Sequence, residues 1–260
     1  MKLLRILIAT TCFVACGAPT LGRAWAQDGA TIPLPPEDTQ AITAMLGPGV
    51  VGQALPSSPI QDPTVYFPLQ ERVLTYQVTG GKKTGDTQTL GVAKGKRPGG
   101  NPAWRFGIAP AMAAFVRQTD QGDLLMPAVS DGSEGVIVVT TPANPFLLKG
   151  MKPGETRTYS QTVSVNYLDD PTSQDYSGTL NTSHTYVGTY QVTVPAGTYN
   201  AILIRQVSEG KVGPAHTEDT AYYFFAPQTG IVAMLGQEDV EAFWIIHLDT
   251  KTGKVLASSQ

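Results

Sequence analysis

From Glu71 onward, apolar and polar residues alternate with a period of two, interrupted by glycines, prolines and polar turns. Leu74, Tyr76 and Val78 fall on one face of an extended chain and Thr75, Gln77 and Thr79 on the other, which is the pattern of a half-buried strand. Residues 80–85 read as a turn and 87–93 as the returning strand. The same reading predicts strands over 103–108, 114–119, 124–129, 135–140, 156–168, 176–194, 199–207, 217–225, 230–235, 242–249 and 254–257. Two turns are legible in detail. Pro195-Ala196-Gly197-Thr198 joins two strands, and residues 249–254 read as a type I turn closed by Gly253. Strands spaced roughly 8–12 residues apart, with connections too short for helical crossovers, predict an all-β fold. The expected architecture is a curved antiparallel sheet closing towards a barrel or half-barrel, with one short N-terminal helix.

Two predicted strands are apolar on both faces. Phe243, Ile245 and His247 alternate with Trp244, Ile246 and Leu248, and Tyr222-Tyr223-Phe224-Phe225 behaves in the same way. A strand apolar on both faces is covered on both. The cover is a second sheet layer, the N-terminal helix, or a bound apolar ligand held in the concavity of a curved sheet. For the ligand case the expected lining is drawn from Tyr222, Phe224, Phe243, Trp244 and Ile246.

The first 68 residues differ in character. Lys2 and Arg5 precede a mostly apolar run over 6–15, and Ala24-Trp25-Ala26 is a small-x-small cleavage site. Residues 1–26 therefore read as a secretory signal peptide cut after Ala26. A competing reading takes Phe13-Val14-Ala15-Cys16 as a lipobox, with Cys16 lipidated. Export implies a periplasmic or secreted protein, or one lipid-anchored through Cys16. Residues 27–68 form a proline-rich arm, with eight of the chain's 20 prolines. Within it, residues 37–46 are expected to form a helix that Pro35-Pro36 precedes and Gly47-Pro48 stops, with Ile42, Met45 and Leu46 on one face. That helix would dock on the sheet, plug one end of a barrel, or bind a partner. Residues 69–260 are the β domain.

Composition narrows the classes. Removing residues 1–26 takes away Lys2, Arg5 and Arg23 and no acid, moving the net charge from −3 to −6. An acidic chain without a basic stripe argues against nucleic acid. The chain's two cysteines, Cys12 and Cys16, lie in the same segment, so the remainder has no disulfide, thiol nucleophile or thiolate metal site. No later apolar run is long enough for a membrane-spanning helix.

The search for chemistry yields little. On strands, His216 and Glu218 would share a face, as would His247 and Asp249, offering a metal ligand pair or an acid–base couple. No third ligand stands at a recognisable spacing along the chain. The three histidines, His184 included, are expected at the surface or rim. No G-x-S-x-G elbow is present, and the carboxylates of 169–175 lack calcium-loop spacing. Lys82-Lys83 and Lys94-Gly95-Lys96-Arg97 are expected in neighbouring loops, where they would attract phosphate groups or simply solubilise turns. No cofactor is expected.

Residues 151–236 resemble a family of secreted bacterial β-rich domains of unknown function. The resemblance is carried by Lys152-Pro153-Gly154-Glu155-Thr156, by the hairpin Val192-Thr193-Val194-Pro195-Ala196-Gly197-Thr198-Tyr199, and by the hairpin from Tyr223 through Ala226-Pro227-Gln228-Thr229-Gly230 to Val232. It covers about a third of the chain. It implies a curved antiparallel sheet and export to the envelope, and supplies no catalytic residue. The expectation is an exported, non-enzymatic envelope protein that binds an apolar or lipid-like ligand or an envelope component. The alternatives are an interaction subunit of an envelope assembly, docking through residues 27–68, and a hydrolase or metal-dependent enzyme.

Overall fold

A computed structural model describes residues 29–242 and 246–260, and for 238–249 only the backbone within that range. The arm supplies β1 (Ala30–Thr31), α1 (Pro36–Leu46), β2 (Val51–Ser57) and α2 (Pro63–Tyr66). The body supplies β3 (Arg72–Gly81), β4 (Thr87–Lys96), β5 (Pro102–Ala109), β6 (Met112–Gln118), β7 (Leu124–Asp131) and β8 (Val136–Leu147). It continues with β9 (Thr156–Tyr167), β10 (Gln174–Val194), β11 (Gly197–Val212), β12 (Ala215–Ala226), β13 (Gly230–Ala242) and β14 (Ile246–Ser259).

Strands β3 to β14 pair antiparallel in chain order, and β14 pairs antiparallel with β3 through Gly253–Gly80 and Leu256–Tyr76. The result is a closed barrel of twelve strands with meander topology. An even number of up-and-down strands is what lets the last meet the first antiparallel. The 21-residue β10 serves two neighbours. Its first half pairs with β9, from Gln174 to Thr185, and its second half pairs with β2, from Thr189 to Val192. A register shift between Tyr186 and Gly188 marks the handover.

The arm is built into the barrel at two places. Helix α1 packs on the outer face of β13, β14 and β3. It begins at Pro36 and is stopped by Gly47, which has φ 98° and donates its N–H to Thr43. Ile42, Met45 and Leu46 are buried, as their spacing predicts. Residues 60–67 close one end of the barrel. Ile60 exchanges backbone hydrogen bonds with Gly150 and Met151, and Gln228 N–H donates to Val65. Both α1 and the plug use apolar residues, Ile42, Leu46, Ile60 and Phe67, that are thereby unavailable to a partner.

One uncovered stretch of the wall, on β9 and β10, is polar. Thr158, Ser160 and Thr162 of β9 and Thr179 and Asn181 of β10 are exposed, while Gln161, Val163, Val165 and Leu180 between them are buried. A lipid-spanning barrel needs an apolar outer band; this stretch of wall carries the reverse pattern. Among the described residues, no helix is long and apolar enough to cross a membrane.

Several expectations are corrected. Residues 249–254 are no turn: β14 runs through them, and Gly253 pairs with Leu235 and Gly80. Its lack of a side chain serves packing, because a β-carbon there would overlap the Met45 carbonyl of α1. The strand expected over 242–249 divides, since Ala242 pairs with Ile246 and belongs to β13. The acidic stretch at 238–241 lies within β13. Lys82-Lys83 and Lys96-Arg97 stand at opposite ends of β4, about 30 Å apart for a strand of that length, so they form no joint patch.

Candidate functional site

Strands bend around an interior cavity of about 1020 Å3. It reaches the turns after β3, β5 and β7, through Lys82, Lys83, Pro110, Ser133 and Glu134. At its base stand Phe106, Phe146 and Tyr223. Beneath these is the ring of Phe67 from the plug. It meets Phe106 at 5.5 Å, Phe146 at 5.0 Å and Phe225 at 6.4 Å, all edge-on. Edge-on pairs set the electropositive rim of one ring against the face of another. The Arg72 guanidinium lies 5.5 Å from the Phe67 centroid and donates to the Thr229 carbonyl. The plug thus gives the cavity an aromatic floor.

The wall above is mainly apolar, with a polar belt where β8 to β11 meet. Gln161 donates to the Pro142 carbonyl and accepts from Thr182, whose hydroxyl pairs with Ser208. Gln206 donates to the Pro145 carbonyl and to His184 Nδ1, the latter at 2.9 Å. Both carbonyls belong to prolines of β8, and the two glutamine amides donate to them from the inner face. His184 is fully buried rather than at the rim. Burial, with the Arg157 charge assisting, pulls its pKa down to about 3. The ring is therefore neutral at pH 7, with the proton on Nε2, which has no partner. Gln88 Oε1 and Asn144 Oδ1, both on cavity-lining residues, are likewise buried without a partner.

Lys254 of β14 is a buried charged group of the cavity wall. It is 4% exposed, and its ammonium donates to the Ile108 carbonyl. Burial, with the Lys83 charge assisting, lowers its pKa to about 8.

The expected ligand-lining residues divide. Tyr222 and Phe224 are buried, but on the outer face of β12; the Tyr222 hydroxyl donates to Asp38 of α1 at 2.8 Å. Their neighbours Tyr223 and Phe225 point inward, and Tyr223 lines the cavity. The doubly apolar strand is therefore covered by the N-terminal helix on one side and faces the barrel interior on the other. Phe243 and Trp244 lie outside the described residues, as do Ala26 and Cys16. Ile246 begins β14, where only its backbone is described.

The histidine pairs occupy neighbouring strands. In register, His216 stands opposite Glu241, and Glu241 opposite His247; the next row of that face holds Glu218, Asp239 and Asp249. Linear spacing hid this third position, because cross-strand neighbours are distant in the chain. Only the backbones of 239, 241, 247 and 249 are described. Among the described residues no group of three metal-ligating side chains forms.

No family model matches the chain and no curated protein matches it. Among the solved structures similar to it are two bacterial ones. One, described as a lipoprotein from Parabacteroides distasonis, is 12% identical with a TM-score of 0.35, over 77% of this chain and all of that one. The other, the hypothetical lipoprotein YmcC from Escherichia coli (K12), is 9% identical with a TM-score of 0.36, over 77% of this chain and 89% of that one. Superposition this loose says nothing of function.

Proposed function

We propose that this is an exported, non-enzymatic binding protein of the bacterial envelope that holds an amphipathic, lipid-like molecule inside its barrel. The observation that carries the reading is the cavity of about 1020 Å3, at the upper end of the ~300–1,000 Å3 typical of small-molecule sites. Its floor is aromatic, its walls are largely apolar, and a few buried polar atoms lack partners. Such a lining favours an apolar body with a polar end. Export is supported by the charged start, apolar run and cleavage site of residues 1–26, with Cys16 as the alternative anchor. The docking of the arm against its own barrel weakens the interaction-subunit reading.

Titration with the fluorescent apolar probe N-phenyl-1-naphthylamine tests this. One probe per chain is expected, displaced by a long-chain amphiphile. Ala221→Trp, which places an indole in the cavity beside Tyr223, is expected to abolish probe binding while leaving the far-UV circular dichroism unchanged. A wild-type protein that takes up neither probe nor amphiphile would overturn the reading.

A further inference from the structure

Lys254 is an anomaly in a cavity of this kind. Its side chain lines the interior and is almost wholly removed from water, and a desolvated ammonium normally sits against a carboxylate. Here it has a single neutral acceptor, the Ile108 carbonyl. Among the described residues no carboxylate pairs with it. Nearby charge makes matters worse, since Lys83 of the β3–β4 turn adds a second cation. Three carboxylates, Asp131, Glu134 and Asp219, also line the cavity; none of them forms an ion pair with Lys254, and Asp131 is occupied by the N–H and hydroxyl of Ser133 and the N–H of Glu134. Gln88 of β4, in the row of Tyr76 and Leu256, lines the same space with its Oε1 buried and unpartnered.

We propose, building on the binding reading above, that the barrel's ligand is an amphiphile with an anionic head, and that Lys254 is the residue that pairs with that head. The apolar body would extend from Lys254 towards Phe106, Phe146 and Tyr223. An anion supplies the paired counter-charge that Lys254 lacks and restores the hydrogen bonding the buried ammonium has lost. The depressed pKa agrees with this: the ammonium is held in surroundings that penalise its charge, and an anion would relieve the penalty.

Four twelve-carbon probes separate the possibilities: dodecanoate, dodecyl phosphate, dodecanol and dodecyltrimethylammonium, each measured by isothermal titration calorimetry at pH 7. The expected result is that one or both anions bind at least tenfold more tightly than the alcohol and the cation. Whether carboxylate or phosphate binds better identifies the head. Lys254→Met is expected to erase that preference while retaining dodecanol binding, and Lys254→Arg to preserve it. Equal affinity for the alcohol and both anions overturns the role of Lys254 and leaves the binding reading standing. Failure of all four to bind overturns both. Should Lys254→Met not fold, dodecanoate labelled with 13C at its carboxyl gives the answer on the wild-type chain. Its bound carboxyl is expected to titrate below the free acid if it is paired with Lys254. Titration above the free acid, as burial without a cation would produce, contradicts the assignment.

Discussion

Asp38 is fully buried between Arg205 and Tyr222, accepting from the Arg205 Nη1 at 2.7 and 3.0 Å and from the Tyr222 hydroxyl at 2.8 Å. In the sequence it is merely an acid in the first turn of a helix, where the macrodipole favours it. In the fold it also ties that helix to β11 and β12. Removing Asp38 strips the half-buried Arg205 of its close partner and leaves it only the exposed Glu37 at 4.0 Å, a loss of about 2–3 kcal/mol, towards the lower end of what breaking a buried pair costs. Asp38→Ala is therefore expected to lower the urea midpoint sharply, and Asp38→Leu with Arg205→Met to recover most of the loss. A single variant no worse than the double would contradict this. His184 makes a second prediction at this scale. Below about pH 6.5 the unfolded chain takes up a proton at this histidine, while the folded chain resists protonation until about pH 3. The folded state therefore loses stability as pH falls through that window. Urea unfolding at pH 7.5, 5.5 and 4.5 is expected to show a steeper acid loss in the wild type than in His184→Gln, whose side chain carries no titrating group.

At the scale of elements, Gly80 and Gly253 pair across β3 and β14 and form the seat for the last turn of α1. The Thr79 hydroxyl donates to the Met45 carbonyl at 2.9 Å beside them, and a β-carbon on either glycine would overlap Met45. Gly253→Ala is expected to cost on the order of 2 kcal/mol, comparable to other overpacking changes. It should also raise hydrogen exchange in residues 36–46 more than in the barrel strands; exchange unchanged in α1 would refute the seat. Gly253 also shows why the sequence was only partly legible. Glycine after Thr-Lys-Thr has the local chemistry of a turn, and the reason for it lies in a helix about 200 residues away in the chain. The same limit split one long strand into two. Elsewhere the alternation was sufficient: eleven of the twelve barrel strands begin within a few residues of where the period-two pattern places them, because inward and outward positions differ in polarity. The helix was equally legible, since Pro36 and Gly47 bracket it.

At the scale of the molecule, closure creates the cavity, and closure is what a linear pattern expresses least. Tyr222-Tyr223-Phe224-Phe225 announces that both faces are covered, yet its parity leaves open which face is interior, and a shift of one residue exchanges them. The bond from Tyr222 to Asp38 of α1 puts that face outside, and Tyr223 becomes the cavity residue. Lys254 was hidden for a related reason: it looked like the end of a turn, whereas strand β14 carries it into the wall. The plug belongs to the same scale. Phe67→Ala removes the ring on which Phe106, Phe146 and Phe225 meet and is expected to cost about 3–5 kcal/mol, measured by thermal and urea unfolding. The described helices of the arm thus serve the barrel, α1 sealing its outer face and residues 60–67 its floor, and the space left over is the candidate binding site. Native mass spectrometry of the chain recovered from a bacterial envelope tests that claim most directly. The account predicts one bound amphiphile per chain, lost on collisional activation and absent from Ala221→Trp. Recovery of the bare polypeptide alone, with no adduct even after incubation with dodecanoate or dodecanol, would contradict it.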